Sequence, residues 1–497
     1  FKLDMFAFGE VQKHNTADDL WVVIHGKVYN LTPFLNLHPG GKAILIKHAG
    51  KDVSQLFDSF HNVDVLLREG EQFVVGALND SSSSSSSNNM IPFADPPSCQ
   101  GLSSPYYTPE HHKFRKKIRD YIQSEIAPHV QHWDELGDYP VDLMTKAYAA
   151  GIYGAMWPAQ YGGTPPTDMD IFHEVIYWDE LARNTSGGLI ASAFGSISIS
   201  LPAVLAVGSK ELKARVAPPC IKGEKIICLA VTEPYAGSDV SNIQTVAKKD
   251  GDYYYVTGEK KYITNGMKAD FFVTACRTGG PGAGGVSLLL IEGHMPGIKR
   301  RRLKTQGWLS SNTAFLSFDN VRVPKANLIG VENFGFLPIM LNFNHERLQL
   351  IIGANRGART CYETAVAYAR ARHTFGKPLI SHQIIRHKLA EMARQIEATH
   401  AMLEMIAYQM QKKHDARVIG SVSALGKVQA TMTMEFCARE ASQILGGASY
   451  LRSGVGEQVE RIYREVRVNA IGGGSEEIMR ELASKTLVLK RQPKSKL

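Results

Sequence analysis

The sequence predicts a multidomain chain, in which a small α+β domain precedes a large unit built from helices, a sheet and more helices in that order. The chain has 497 residues, and at roughly 100–200 residues per domain this length suggests about three domains. A serine-rich segment separates the small unit from the large one. Within the large unit, the hydrophobic pattern changes from helical to strand-like and back to helical.

Composition and charge are those of an ordinary folded protein. Hydrophobic residues make up 44% and charged residues 21% of the chain, as in soluble globular domains. The formal net charge of +8 is a mild excess that favours anionic ligands such as phosphorylated cofactors. The basic runs contain no interleaved aromatic residues on which bases stack, so we expect no nucleic-acid partner. The six cysteines form no C-x-x-C pair, which argues against a disulfide framework and a zinc site.

The first domain is predicted at 1–78 and a linker at 79–103. Residues 20–24 and 27–31 are β-rich runs around a His25-Gly26 turn, typical of two paired strands. Seven consecutive serines, at 81–87, and a Pro-rich stretch follow. This composition cannot bury apolar surface, so the segment is predicted to be flexible.

The large unit is predicted to contain three domains and a tail. Residues 104–225 have a helical pattern, 226–340 a strand-like pattern with Gly-rich turns, and 341–489 a helical, Ala- and Met-rich pattern. The longest uncharged stretch, 184–209, is broken by Pro202. It is interpreted as buried core helices, and no transmembrane segment is expected. The tail, 490–497, ends in Ser495-Lys496-Leu497, the tripeptide of a peroxisomal address. A peroxisomal location is therefore expected, with mitochondrial or cytoplasmic locations as alternatives.

Two histidines in the first domain suit a haem. His38 stands in an HPGG turn (38–41), and His61 follows an apolar run. Haem iron with two imidazole ligands needs a histidine on each face of the ring, and the glycines let the backbone approach without a Cβ clash. Candidate pocket walls are Phe34, Leu45, Phe57, Phe60 and Leu66.

Residues 5–78 resemble the cytochrome b5 family in the run WVVIHGKVYNL (21–31), the HPGG turn and the second histidine. The resemblance implies haem b, with His38 and His61 as the iron ligands. The alternative is a haem-free member of the same fold.

Four segments of the large unit point to a second family: CLAVTEPYAGSD (228–239), KYITNG (261–266), RHTFGKPL (372–379) with Gln383, and QILGG (443–447). The first closes an apolar strand with a Gly/Ser turn, which offers hydroxyls and N–H groups to phosphate or to ring oxygens. In this order and spacing, residues 104–490 resemble the acyl-CoA dehydrogenase family. The resemblance implies an α-helical domain, a β-barrel or sheet domain, a C-terminal four-helix bundle, bound FAD and an acyl-CoA substrate.

Site residues follow from the same resemblance. The implied FAD contacts are Leu229, Thr232, Gly237, Ser238, Tyr262, Thr264, Arg372, Thr374, Phe375, Gln383, Gln443, Gly446, Gly447, Ser475 and Glu477. The implied substrate contacts are Ser238, Asn344, Arg347 and Gly473. Tyr262 stands where many relatives have Trp, and packing in a sheet core is its alternative. Because Arg372 and 443–447 would hold FAD across a subunit boundary, a homodimer or tetramer is implied.

The catalytic base departs from the commonest family pattern. Many relatives carry it in a Tyr-Glu-Gly-Thr segment near the C-terminus, whereas this chain reads IGGGSEEI (471–478) with Gly473 at the base position. Members such as the long-chain and isovaleryl types carry the base in a Glu-Arg pair at the start of an earlier helix. That resemblance makes Glu346 the base and Arg347 a contact for the CoA side. Glu476 is then interpreted as a surface residue, and the Gly473 N–H as a donor to the thioester carbonyl.

The expected activity is FAD-dependent conversion of a fatty acyl-CoA to trans-2-enoyl-CoA in fatty acid β-oxidation. The haem domain would accept or relay electrons, and the external electron acceptor is not identified by the sequence. Three alternatives stay open. One is an acyl-CoA oxidase that passes electrons to oxygen. Another is a haem electron carrier on a scaffold that binds acyl-CoA without turnover. The third is flavin-dependent oxidation of a non-CoA substrate on the same fold.

Overall fold

A computed structural model of the chain describes residues 4–58, 61, 65–66, 70–78, 91–183 and 186–488. The chain divides into two compact units. The first comprises Phe1–Leu102, Arg359–Ala393 and Arg439–Glu460, and the second Ser103–Ala358, Arg394–Ala438 and Arg461–Leu497.

The small domain is a mixed four-stranded sheet with short helices. Its strands, in the order β1-β4-β3-β2, are β1 (Asp4–Phe6), β2 (Trp21–Ile24), β3 (Lys27–Asn30) and β4 (Val74–Leu78). Its helices are α1 (Phe8–Val11), α2 (Lys42–Lys47) and α3 (Ser54–Asp58). His25 and Gly26 both have positive φ, as a tight hairpin turn between β2 and β3 requires. The predicted strand–turn–strand is present.

The second half of the predicted linker is not extended chain. The buried Arg359 donates through Nη1 to the carbonyl oxygens of Phe93, at 2.7 Å, and Asp95, at 3.2 Å. Gln100 Nε2 also donates to the Asp95 oxygen, at 2.9 Å. A buried guanidinium needs acceptors, and the backbone at 93–95 supplies them, so 91–102 is held in place. The serine-rich half, 79–90, lies outside the described residues.

The helical domain contains seven α-helices among its described residues: α4 (Pro109–Tyr121), α5 (Val130–Leu136), α6 (Leu143–Ala149), α7 (Ile171–Leu181), α8 (Gly187–Leu189), α9 (Ser196–Val207) and α10 (Lys210–Ile221). A π-helical turn joins α8 to α9. In the described part of the chain, the stretch Gly187–Val207 is the one helix long and apolar enough to cross a membrane. Its most apolar window has a mean hydropathy of 1.9 and is 56% buried. Burial of this kind is found in core helices.

One aspartate caps α7 and ties it to α4. Asp170 Oδ1 accepts from the backbone N–H groups of Phe172 and His173 at 2.9 and 3.1 Å. The same oxygen lies 3.0 Å from His111 Nε2, and His111 belongs to the capping box that Thr108 forms on α4. Both imidazoles are buried. The two helix starts are therefore joined by one buried hydrogen-bond cluster.

The middle domain is an eight-stranded sheet in the order β10-β11-β7-β6-β8-β9-β12, with β5 paired to β8. The strands are β5 (Ile227–Ala230), β6 (Val246–Asp250), β7 (Tyr253–Ile263), β8 (Phe271–Arg277), β9 (Val286–Glu292), β10 (Ile298–Arg302), β11 (Ala314–Pro324) and β12 (Leu328–Ile329). Alternate residues of β7 and β11, such as Tyr254, Val256, Leu316 and Phe318, form its core.

The C-terminal part is helical apart from a short hairpin of β13 (His373–Thr374) and β14 (Lys377–Pro378). Its helices are α11 (Phe336–Ala371), α12 (Gln383–Gln411), α13 (Ala416–Leu445), α14 (Glu457–Ile471) and α15 (Glu476–Val488). A Cβ on Gly426 of α13 would clash with Ile406 of α12 and meet Ile351 of α11 at 3.0 Å, so these helices pack closely there. α11 begins at Phe336, inside the segment assigned to the sheet domain (226–340).

Buried ion pairs hold α11 against the helical domain within the second unit. Asp179 of α7 receives Arg115 Nη1 of α4 at 2.6 Å and Arg356 Nη2 of α11 at 2.7 Å. Breaking such a buried pair typically costs about 3–5 kcal/mol, because the remaining charge is left unpaired. The helix that carries Glu346 is therefore firmly positioned.

Candidate active site and haem site

The two predicted haem ligands lie side by side in the small domain. The ring centroids of His38 and His61 are 5.9 Å apart. Bonds from a metal to imidazole nitrogen are about 2 Å long, so both rings can reach one iron between them. His38 Nδ1 lies 3.4 Å from the Gly41 carbonyl oxygen. Since a carbonyl only accepts, this contact places the proton on Nδ1 and leaves Nε2 for the metal.

Apolar rings border this pair. The Phe34 ring lies 5.8 Å from that of His38, and the Phe57 ring 4.8 Å from that of His61. Leu45 and Leu66 pack on the domain core, and Phe60 lies outside the described residues. Burial, and secondarily the His38 charge, lower the pKa of His61, so its neutral, metal-binding form is favoured. These contacts fit a flat apolar ring with an iron at its centre.

The predicted flavin loop follows β5 in the second unit. The structure places Leu229 and Thr232 in half-buried positions and Gly237 and Ser238 in exposed ones. The Glu233 N–H donates to the Ala236 carbonyl oxygen at 3.1 Å, which closes the turn. The Gly237-Ser238 end therefore presents its hydroxyl and backbone groups to a ligand.

A buried ion pair that the motif did not reveal anchors this loop. Lys260 Nζ lies 2.7 Å from Glu233 Oε1 and donates to the Val231 carbonyl oxygen at 3.0 Å. The Glu233 carboxylate also accepts the backbone N–H groups of Gln244 and Thr245. Both side chains are buried, and the residues flanking Thr232 are therefore fixed on each side.

Tyr262 presents its ring to the surface beside Thr232. The Lys261 N–H donates to the Thr232 carbonyl oxygen at 2.8 Å, which brings the end of β7 next to the flavin loop. Tyr262 has φ 62° and is 61% exposed. A positive φ is uncommon for a bulky residue and accompanies function more often than packing. Tyr262 is therefore not packed in the sheet core. Its exposed ring, with the half-buried Thr264 nearby in sequence, is suited to contact a flat cofactor.

The remaining flavin motifs lie in the first unit. Arg372 precedes the β13–β14 hairpin, and Phe375 at its tip is 95% exposed with φ 51°. Thr374 Oγ1 lies 3.0 Å from His382 Nε2, and Gln383 is the first residue of α12. Arg372 and the exposed Phe375 ring therefore lie close together in sequence at the surface, as the FAD assignment requires.

The QILGG segment ends α13 with an open backbone. Gln443, Gly446 and Gly447 are exposed, and a Cβ on either glycine would meet no neighbour within 4 Å. Ser449 Oγ donates to the Gly446 carbonyl oxygen at 2.9 Å, which holds the turn. Backbone without side chains can approach a phosphate closely, as the FAD assignment requires.

Glu346 has the environment of a general base. Its Oε2 atom is buried and has no hydrogen-bond partner among the described residues. Burial raises the pKa of the Glu346 carboxyl to about 7, although the charges of Arg347 and Lys427 act to lower it. A carboxylate with a pKa near neutrality is suited to take and release a proton at physiological pH.

The two alternative positions of the base in the family, 346 and 473, lie close together in the structure. The place where a Cβ would stand on Gly473 is 3.9 Å from Glu346 Oε1. Gly473 has φ 66°, and a side chain there would collide with Leu350. Arg347 Nε donates to the Gly473 carbonyl oxygen at 3.3 Å. The Glu346 carboxylate therefore occupies the neighbourhood that a carboxylate at position 473 would reach.

Two expectations about these glutamates need correction. Glu346 lies well inside α11 and not at a helix start, because α11 already begins at Phe336. Glu476 is half-buried and not a surface residue, since its Oε1 accepts from Thr431 Oγ1 at 2.9 Å. Glu477 is exposed in the first turn of α15, and Ser475 Oγ accepts the Ile478 N–H at 3.4 Å. The side chain of Asn344 lies outside the described part of the chain.

Sequence reasoning missed the polar partner next to the base. His345 Nε2 lies 2.8 Å from Glu174 Oε1, and the Glu174 charge raises the pKa of His345. Gln349, one turn later, donates to the same oxygen at 3.2 Å. The spacing of 345 and 349 on one helix face was the signal that could have indicated this contact.

Comparison with protein-family models places the chain among two known families. The cytochrome b5-like heme/steroid binding domain model matches 8–89. The acyl-CoA dehydrogenase N-terminal, middle and C-terminal domain models match 108–224, 228–321 and 333–488. The chain belongs to the acyl-CoA dehydrogenase family. Its fold is the predicted one, with a cytochrome b5-like domain ahead of the helix–sheet–helix unit.

Individual acyl-CoA dehydrogenases cover most of the chain. Acyl-CoA dehydrogenase apdG of Emericella nidulans is 37% identical over 417 residues, which span 80% of this chain and 95% of that one. The mitochondrial long-chain specific acyl-CoA dehydrogenase of Sus scrofa is 32% identical, spanning 77% and 87%. The solved acyl-CoA dehydrogenase of Geobacillus kaustophilus is 33% identical with a TM-score of 0.73, over 78% of this chain and 100% of that one.

The protein is therefore an FAD-dependent acyl-CoA dehydrogenase with a haem-binding domain. Both cofactors follow from the two families. The donor sets fit them: paired imidazoles for haem iron, and hydroxyls, open glycine backbone and exposed rings for FAD. Which residues make each contact stays a prediction.

Proposed function

We propose that the enzyme converts a fatty acyl-CoA to the trans-2-enoyl-CoA with Glu346 as the base, as a step of fatty acid β-oxidation. The observation that carries this proposal is the buried, unpartnered Glu346 Oε2 beside Gly473. FAD, when bound, accepts the hydride from the β-carbon. Glu346 takes the α-proton, so that the substrate loses one proton and one hydride.

The thioester carbonyl needs donors while charge develops on its oxygen. Among the described residues, no backbone carbonyl accepts a hydrogen bond from the Gly473 N–H. This supports the assignment of that N–H to the thioester carbonyl. Arg347, bonded to the Gly473 carbonyl oxygen, supports the same turn, and the contact with the CoA side is assigned to it by the family resemblance. Ser238 and Asn344 complete the proposed substrate contacts.

The haem domain is proposed to accept electrons from the flavin, since both cofactors belong to one chain. The substrate delivers two electrons and haem iron takes one, so relay requires two single-electron transfers.

A homodimer or tetramer is proposed as well, because family members commonly form oligomers and Phe375 is exposed. The peroxisomal tripeptide Ser495-Lys496-Leu497 supports a peroxisomal location.

The experiment is anaerobic addition of butyryl-, isovaleryl-, octanoyl- and palmitoyl-CoA with the visible spectrum recorded. Flavin bleaching in the wild type, reduced by about 10²–10⁴-fold in rate in Glu346→Gln, supports the proposal. The matched control is Glu481→Gln, which removes an exposed carboxylate from α15 and should bleach like the wild type.

Three outcomes separate the alternatives. Bleaching that is equal in Glu346→Gln would remove the base assignment, and no bleaching with any acyl-CoA would favour a non-catalytic scaffold. Hydrogen peroxide released in stoichiometric amount under aerobic turnover would identify an oxidase instead of a dehydrogenase.

A further inference from the structure

Lys427 is a buried lysine beside the Gly473 turn of the proposed active site. It lies on α13, its side chain is completely buried, and no sequence motif pointed to it. Burying an ammonium group is costly unless it is hydrogen-bonded and balanced by charge. A lysine buried in this position therefore needs hydrogen-bond acceptors and neighbouring negative charges.

The partners of Lys427 are two carbonyl oxygens on either side of Gly473. Nζ donates to the Ala470 oxygen at 2.6 Å and to the Gly474 oxygen at 3.0 Å. Ala470 belongs to the last turn of α14, where carbonyls lack helical partners and a cation is favourable. One ammonium group thus closes the turn from the end of α14 to Gly474, with Gly473 inside it.

Two successive glycines make this turn costly to order. Gly473 and Gly474 have φ of 66° and 106°, and glycines in succession lose much conformational entropy on folding. With Arg347 on the Gly473 oxygen, the two cations hold three carbonyls of the turn. The conformation in which the Gly473 N–H is available to a ligand depends on these contacts.

The charge of Lys427 also acts on the base. The charged groups around it are Glu476 and Glu477 of α15 and Glu346 and Arg347 of α11. Lys427 lowers the pKa of Glu346, against the larger effect of burial. Removing the charge therefore leaves Glu346 harder to deprotonate.

We propose that Lys427 is a positioning residue for the dehydrogenation, which holds the Gly472–Gly474 turn for the thioester carbonyl and keeps a positive charge near Glu346. The inference rests on the function proposed above. Thr431, one turn along α13, bonds Glu476 and not this turn, so Thr431→Val is the matched control.

The test compares Lys427→Met, Lys427→Gln and Lys427→Arg in the FAD-loaded full chain. We expect Lys427→Met to slow flavin reduction at least ~10-fold, a fraction of the ~10²–10³-fold lost when a direct oxyanion donor is removed. The pH midpoint of that rate should move upward in Lys427→Met and Lys427→Gln and return in Lys427→Arg. Thr431→Val should leave rate and midpoint unchanged.

A readout independent of turnover keeps the inference testable by itself. The infrared band of the protonated Glu346 carboxyl, identified by its loss in Glu346→Gln, gives the pKa of Glu346 directly. An upward shift in Lys427→Gln, which retains an amide donor, supports the inference even if the substrate is misassigned. An unchanged midpoint and an unchanged band would overturn it, whereas an unreactive wild type would overturn only the proposed function.

Discussion

Burial of the Glu346 carboxyl has opposite effects on the stability of the fold and on the reactivity of this group. Its carboxyl has a pKa of about 7 against an ordinary 4.5, because burial disfavours the charged form. A raised carboxyl pKa contributes stability below the unfolded value, and that contribution is lost as pH rises through the folded value. The ionised form, which is the form proposed to accept the α-proton, is thus the form that the fold stabilises least.

The rate of flavin reduction should therefore rise with pH through about 7. Glu346→Gln, which resembles the protonated form, should raise the free energy of unfolding at pH 8 by up to about 3 kcal/mol and leave it unchanged at pH 4. Thermal unfolding at both pH values measures this effect. Equal stability of Glu346→Gln and the wild type at pH 8 would contradict the assigned burial, and Glu481→Gln is the control.

Gly473 is expected to resist substitution. Gly473→Ala places a Cβ against Leu350 at a positive φ, and the strain of such a backbone is about 1–3 kcal/mol. We expect a lower midpoint of urea unfolding together with weaker binding of enoyl-CoA. Gly472→Ala, where φ is not positive, is the comparison and should be tolerated better. A fully active, stable Gly473→Ala would remove the special role of this turn.

Helix starts show how local signals and tertiary contacts combine at the level of elements. Asp170 is a standard N-cap residue, and its position before the apolar run of α7 indicates a helix start. The tertiary structure adds the His111 contact, which no local pattern contains. The cap of one helix thereby becomes part of the packing between two helices.

Asp170→Ala should lower the stability of the dehydrogenase by about 2–4 kcal/mol. Loss of an N-cap costs about 0.5–2 kcal/mol, and an unsatisfied buried polar group about 1–3 kcal/mol. Asp142, the N-cap of α6, makes no capping hydrogen bond, so Asp142→Ala should change stability by less than ~0.5 kcal/mol. Similar losses in both variants, measured by chemical denaturation, would contradict the shared cluster.

The whole molecule joins two redox domains in one chain. Its net charge and composition are unremarkable, and the two families account for most of the length. The proposed electron transfer between the domains involves both families, and neither family by itself predicts it. Its test must therefore use the full chain.

Anaerobic addition of acyl-CoA should bleach the flavin and then produce the band of reduced haem. In His61→Ala the haem band should be lost or altered while flavin bleaching continues, because the dehydrogenase unit has its own base. His25→Asn, an exposed turn residue, should behave like the wild type. Flavin bleaching without any change at the haem of the wild type would exclude internal relay.

A Ser-Lys-Leu tripeptide acts as a peroxisomal address only at a free C-terminus. A fluorescent protein extended by residues 490–497 should accumulate in peroxisomes, and deletion of Leu497 should return it to the cytosol. Lys494→Ala, outside the tripeptide, is the control and should not alter the location. Cytosolic fluorescence of the intact extension would leave the mitochondrial and cytoplasmic alternatives.

The sequence by itself determined the domain order, both cofactors and the family. These features are sequence patterns that can be recognised without knowledge of the fold. They are the His25-Gly26 turn, the histidine pair and the four flavin segments. Gly473 at the usual base position, together with the resemblance to members that carry a Glu-Arg pair on an earlier helix, led to the prediction of Glu346 as the base. The positions of the individual ligand contacts stay predictions.

Only the tertiary structure decided how the active site is made reactive. The pKa of Glu346 depends on desolvation by several helices, and Lys427 and Lys260 find their acceptors far away along the chain. The same holds for Arg359, which holds part of a segment whose composition predicted a linker. The pKa of a buried group depends on its burial and on nearby charges, and both come from residues that are distant in sequence. A local sequence pattern does not contain this information.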